Sequence, residues 1–112
     1  MKIDKELLKG ATETAVLAVL SAEPCHGYEL IRKLRERSQG VLQLGEGTLY
    51  PLLYKLEAKG AIEGAWETST GERRRRVYRV TARGRAHLDQ RSRQWRYMAR
   101  GIDLVLGVPA YA

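Results

Sequence analysis

The sequence predicts a mostly α-helical chain with one small β hairpin, and three observations predict it. Apolar residues recur at helical spacing in four separate segments, the spacing shortens towards alternation after Gly60, and from Leu88 to Pro109 apolar residues return every seven positions. At 112 residues the chain is one small domain rather than two. A domain of this size hides only about two thirds of the surface its unfolded chain exposes, which leaves surface for a second copy to cover.

The first helix is expected from about Asp4 to Ser21, with Asp4 as its N-cap. Leu7, Leu8, Ala11, Ala15, Leu17, Ala18, Val19 and Leu20 cover most of its circumference in the later turns, so it must be packed on several sides. It ends before Ala22-Glu23-Pro24, because proline disfavours helical geometry in the residue before it. The second helix starts at His26-Gly27-Tyr28-Glu29-Leu30, where His26 as N-cap and Glu29 three residues on make a capping box. Leu30, Ile31 and Leu34 form its inner face, and it stops near Ser38-Gln39-Gly40. Cys25 and His26 are adjacent, but zinc needs about four ligands and the only other histidine is His87, so a cap beside a small buried thiol is the better reading.

In the third segment, Gly45 to Gly60, Pro51 would clash with the carbonyl of Gly47 if a helix had already begun there. The helix is therefore expected to begin at Thr48, with Thr48 as cap. Leu49, Leu52, Leu53 and Leu56 then make a narrow buried stripe, and Tyr50, Pro51, Tyr54, Lys55 and Ala58 lie opposite. Two tyrosines one turn apart, with a lysine and an open helix N-terminus, form a surface that can donate to phosphates and touch base edges. The alternative is that one or both tyrosines lie flat on a neighbouring helix.

Ala61 to Thr68 and Arg74 to Val80 alternate as two strands joined by Ser69-Thr70-Gly71-Glu72, with Ile62, Trp66, Tyr78 and Val80 as candidates for the face that packs on the helices. Arg73, Arg74, Arg75 and Arg76 sit at or just past the tip. Four adjacent like charges repel one another and relax beside an anion, unless they simply form a solvated run. The last helix begins with Thr81 as cap and continues to about Leu106, ending at Gly107-Val108-Pro109. Leu88, Trp95 and Ile102, with Met98 and Val105 among the intermediate positions, form the seam of a helix that pairs with another helix. It is too long for so small a domain to cover, so part of its stripe should meet a second copy.

Charge separates along the chain. The 20 Lys plus Arg and 13 Asp plus Glu divide into a net −1 over residues 1 to 70, +9 over residues 71 to 100, where every cation is Arg, and −1 over the rest. Planar arginine forks suit phosphate oxygens, which makes a polyanion the natural partner. The single cysteine excludes an internal disulfide and fits a reducing, cytoplasmic setting. No stretch reaches the roughly 20 apolar residues of a membrane span, so no membrane association is expected. No carboxylate pair, nucleophile-base arrangement or phosphate-binding Gly loop is visible, so the chain is expected to be no enzyme and to need no cofactor.

Three helices followed by a hairpin with a basic tip are the winged helix-turn-helix plan, here a winged helix-turn-helix over 1–80 and a C-terminal dimerisation helix over 81–112 packed on the same domain. The sequence also resembles the PadR-type transcriptional regulators, in their short branch with one C-terminal helix. Carrying the resemblance are LLKG at 7 to 10, PCHGYEL at 24 to 30, EGTLYPLLYKLEAKG at 46 to 60, the Trp66 strand, and RRRRVYRVTARGRAHL at 73 to 88. It implies that the third helix is the recognition helix, with Thr48, Tyr50 and Lys55 at the DNA, and that Arg73, Arg74, Arg75 and Arg76 form a wing along the backbone or minor groove. Tyr54 stands where relatives often carry a basic or polar residue. The resemblance further implies a homodimer through the first and last helices, repression of nearby genes, and release by a small aromatic, drug-like or phenolic effector; two recognition helices in major grooves about 34 Å apart would then sit on an inverted-repeat operator in double-stranded DNA. Trp95 matches the place where some short members hold flat aromatic ligands, and the alternative for Trp95 is packing in the dimer seam. The rival reading of the same surfaces is a winged-helix adaptor that binds an acidic protein partner.

Overall fold

The computed structural model describes residues 1–68 and 74–109. Its elements are α1 (Lys5–Leu8), α2 (Ala11–Ala22), β1 (Cys25–His26), α3 (Gly27–Arg37), α4 (Glu46–Ala58), β2 (Ile62–Thr68), β3 (Arg74–Val80) and α5 (Ala82–Leu106). The fold class is the expected one, mostly helical with a small sheet, and four local expectations are corrected.

The first helix is two. Asp4 caps α1, accepting the Glu6 amide at 2.8 Å, but Gly10 adopts a φ of 85° in the left-handed region and α2 starts afresh after it. Glycine enters that region without the Cβ clash that would stop other residues, so the apolar run is interrupted where its sequence allows.

The third helix starts two residues earlier than expected. Gly45 is the N-cap of α4, its carbonyl accepts from Thr48 and Leu49, and Pro51 lies inside the helix. Gly47 is exposed, so the carbonyl opposed to the Pro51 ring can tilt outward to water, which relieves the predicted clash. Thr48 is thus an exposed first-turn residue and not the cap.

The hairpin gains a third strand, in the order β1-β3-β2 and antiparallel throughout. Cys25 faces Tyr78 and His26 faces Val77, a two-residue pairing too short to read from periodicity. The fourth correction concerns Trp66. It shares a sheet face with Ile62, Tyr78 and Val80, but the hairpin runs past the helices, and Trp66 is 56% exposed. The expected turn, with Arg73, lies outside the described residues.

Val16, Leu17 and Leu20 of α2, Leu30 and Leu34 of α3, Leu49, Leu53 and Leu56 of α4, and Ile62 and Tyr78 of the sheet form one buried cluster. The His26–Glu29 capping box is present, with Glu29 N donating to His26 Nδ1 at 3.4 Å and His26 N donating to Glu29 Oε1 at 3.1 Å.

The base of α5 is joined to the turn after α4. Thr81 N donates to Ala61 O at 3.0 Å, the Thr81 hydroxyl donates to Gly60 O at 2.7 Å, and Gly84 N donates to Thr81 Oγ1 at 3.0 Å. Gly84 is buried so tightly that a Cβ there would lie 2.0 Å from Ala61 O and 2.7 Å from a Val80 methyl. Helix propensity favours Gly84→Ala by about 1 kcal/mol, but backbone overlap of this size outweighs it. Gly84→Ala should lower unfolding stability by about 2 kcal/mol in a urea titration, and a stabilised variant would contradict this packing.

Candidate nucleic-acid interface

Leu49, Leu53 and Leu56 of the α4 stripe are fully buried and Leu52 is half-buried, which fixes which residues look outward. Thr48, Tyr54 and Lys55 are exposed, Tyr54 at 62%. Tyr50 is held back: a Cβ on Gly27 would lie 2.3 Å from its hydroxyl, so its ring rests against the start of α3, and burial raises its pKa. Only glycine at position 27 leaves that space.

Tyr50 and Tyr54 line a cavity of about 500 Å³ together with Trp66 and Arg74, Arg75 and Arg76. The structure therefore brings the outer face of α4 and the wing arginines to one concave surface. Thr48 borders a different hollow, beside Lys2, Lys5 and Lys9. Lys55 leans the other way, with its ammonium 3.9 Å from a carboxylate oxygen of Glu13.

Adjacent wing arginines differ in their surroundings. Arg74 lies over the Trp66 ring at 5.4 Å from its centroid. Arg75 approaches His26 Nε2 at 3.0 Å. The same Nε2 lies 3.2 Å from Glu29 Oε1, so Arg75, the His26 ring and Glu29 sit together at the start of α3. Arg76 turns inward and donates to Glu57 Oε2 of α4 at 2.6 Å, which raises its pKa. Arg79 pairs with Glu67 at 3.4 Å. Among the described residues, Arg74 and Arg75 form no ion pair with a carboxylate, whereas Arg76 and Arg79 do.

Sequence reasoning missed Glu13, Glu57 and His26 as partners of these residues. Glu13, 7% exposed on α2, faces Lys59 at 3.4 Å and His87 Nε2 at 3.5 Å besides Lys55, and so joins α2, α4 and α5. Its one signal was an acid inside an apolar run; Glu57 and His26 carry no local signal for partners so distant in sequence.

On α5, Leu88 is half-buried, while Trp95, Met98, Ile102 and Val105 are exposed. Trp95 and Met98 line a small hollow of about 190 Å³ with Gly10, Ala11 and Thr14. The start of α2 and the middle of α5 therefore form one surface.

Cys25 is buried, and burial pushes its thiol pKa from the usual 9.0 up to about 11. Among the described residues no group of three or more His, Cys, Asp or Glu could hold a metal ion. No helix among them is long and apolar enough to cross a membrane.

A raised folded-state pKa on an acid means that the unfolded chain ionises first, so the stability it contributes is complete below the unfolded value and is lost as pH rises through the folded one. For Cys25 that window runs from pH 9.0 to about 11, and Tyr50 and Tyr78, also raised by burial, act in the same direction. Melting temperature should fall across this window, and less steeply in Cys25→Ala. Superimposable alkaline curves for the two proteins would contradict the burial of the thiol.

The family model for "Transcriptional regulator PadR-like family" matches residues 16–90. A transcriptional regulator of Mycobacterium tuberculosis is 34% identical over 98 residues, covering 88% of each chain. Among solved structures, a transcriptional regulator from Clostridium thermocellum superposes with a TM-score of 0.81 at 27% identity, covering 90% of this chain and 95% of the other. A PadR-like transcriptional regulator from Bacillus cereus gives 0.78 at 29%, covering 91% and 97%. The helices, the small sheet and the long terminal helix thus share the fold of those proteins, and the chain belongs to the PadR-like family of DNA-binding transcriptional regulators.

Proposed function

We propose that two copies of the chain join through α5 and the start of α2 and act as a sequence-specific repressor on an inverted repeat, released by a small aromatic effector. The observation that carries the DNA reading is the shared concavity, in which Tyr54 of α4 meets Arg74 and Arg75 of the wing. In this reading α4 enters the major groove, with Thr48, Tyr54 and Lys55 positioning and reading while Tyr50, braced on Gly27, sets the depth of the helix. The first turn of α4 has no side-chain cap, so its amides suit a phosphate. Arg74 and Arg75, and Arg73 beside them in the sequence, neutralise backbone phosphates.

Dimerisation is supported by the apolar side chains along α5. Trp95, Met98, Ile102 and Val105 are too many to leave in water on one 25-residue helix. The exposed Trp95 indole, doubled by symmetry, suits stacking on planar or cationic aromatics. Occupancy of the operator blocks transcription, and an effector wedged between the two α5 helices changes the separation of the two α4 helices.

Fluorescence anisotropy across a salt series, with a duplex selected by the wild-type protein from a random library and a shuffled control, tests the reading. A ratio of about a thousand or more between the duplexes is expected. Arg74→Gln combined with Arg75→Gln should weaken both duplexes alike and reduce the salt slope by about two. Equal weak binding of both duplexes by the wild type would favour the protein-adaptor reading instead. For the effector, Trp95→Ala should lose binding to planar cationic dyes, and unchanged binding would remove Trp95 from that role.

A further inference from the structure

Of the described wing arginines, Arg76 alone crosses from the wing to α4. It stands opposite Trp66 in the β2–β3 register, and its guanidinium passes over Gly64, where a Cβ would lie 2.6 Å from Nε and 2.9 Å from Cζ. Beyond Gly64 it reaches Glu57, with the Trp66 and Tyr78 rings 5.7 Å and 5.8 Å from Cζ. Both partners are largely withdrawn from water, their side chains 31% and 23% exposed. A missing side chain at position 64, a carboxylate at 57 and aromatic rings at 66 and 78 all serve this one guanidinium.

We propose that Arg76 is a positioning residue and not a DNA ligand: with Glu57 it locks the wing at a fixed angle to α4, and this angle makes the pair specificity-determining. The inference rests on the DNA reading above. Specific binding requires α4 in the major groove and Arg74 and Arg75 on phosphates at the same time. A wing free to swing would still meet phosphates on any duplex, but would no longer be in register with the bases that α4 reads. The lock therefore acts on the difference between specific and random DNA rather than on affinity as such.

Charge alone and geometry make opposite forecasts. Glu57→Gln adds one positive charge to the binding face, and Arg76→Gln removes one. If the lock operates, both variants lower the selected-to-shuffled affinity ratio by about tenfold, the scale of one lost specific contact, although their charges move in opposite directions. The reciprocal exchange, Glu57→Arg with Arg76→Glu, restores the attraction and recovers most of the ratio. If Arg76 is instead a phosphate ligand, Arg76→Gln weakens both duplexes equally with a salt slope smaller by about one, Glu57→Gln tightens both, and neither changes the ratio; that pattern overturns the proposal.

Amide hydrogen exchange on the free protein supplies a readout independent of DNA. Protection of the peptide spanning Trp66 to Thr68 should fall in both single variants and return in the exchange variant. Unchanged protection in both overturns the lock even if the wild type prefers no duplex, a result that would by itself count against the DNA reading.

Discussion

Much of this molecule depends on β3 being paired on both edges. One edge carries the two residues of β1 and with them the start of α3, while the other carries β2 along its whole length. Side chains of a strand alternate between faces, and so the five residues from Arg74 to Tyr78 divide between two faces with different surroundings. Tyr78, 1% exposed, closes the core. Arg76 and Arg74 share its face and meet Glu57 and Trp66; Val77 and Arg75 take the other face and meet β1 and His26. What reads as an undifferentiated run of arginines is therefore divided: Glu57 holds Arg76, while Arg74 on the same face and Arg75 on the other meet an indole and an imidazole rather than a carboxylate.

Electrostatics of the binding face follow the same division. Counting cations overstates what is available, because a guanidinium beside a carboxylate contributes little net field. Glu57 cancels Arg76, Glu67 cancels Arg79, and Glu13 draws on both Lys55 and Lys59. A buried carboxylate such as Glu13 persists in an apolar helix only with partners around it, here Lys55 and Lys59 at α4 and the His87 ring on α5. One acid thereby ties α4, the helix proposed to face DNA, to α5, the helix proposed to meet a second copy. Movement of α5 has a short mechanical and electrostatic route to α4 through this contact.

Fold class and element order were legible because they rest on period: 3.6 in the helices, two in the hairpin, seven along α5. The caps at Asp4, His26 and Thr81 were legible because they are local, each side-chain acceptor serving an amide two or three residues on. The failures were tertiary. Nothing near Gly10 distinguishes a tolerated helical glycine from one at φ 85°, and nothing near Pro51 says that Gly47 is free to tilt. Trp66 lies on the face that alternation predicts, but whether that face is covered depends on how far the helices extend. For the candidate interface, residue types were readable and their partners were not: Arg76 with Glu57, Arg75 near His26 and Tyr50 on Gly27 all join segments far apart in the chain.

In the proposed reading one concave surface, formed by α4 and the wing and present twice in a symmetric dimer, meets DNA. Hydroxyl-radical footprinting of the full chain on its selected duplex tests it most directly. Two protected segments of equal length, related by two-fold symmetry on one face of the duplex with centres about 34 Å apart, are the predicted result. A single protected segment, or uniform weak protection along the duplex, would contradict the account.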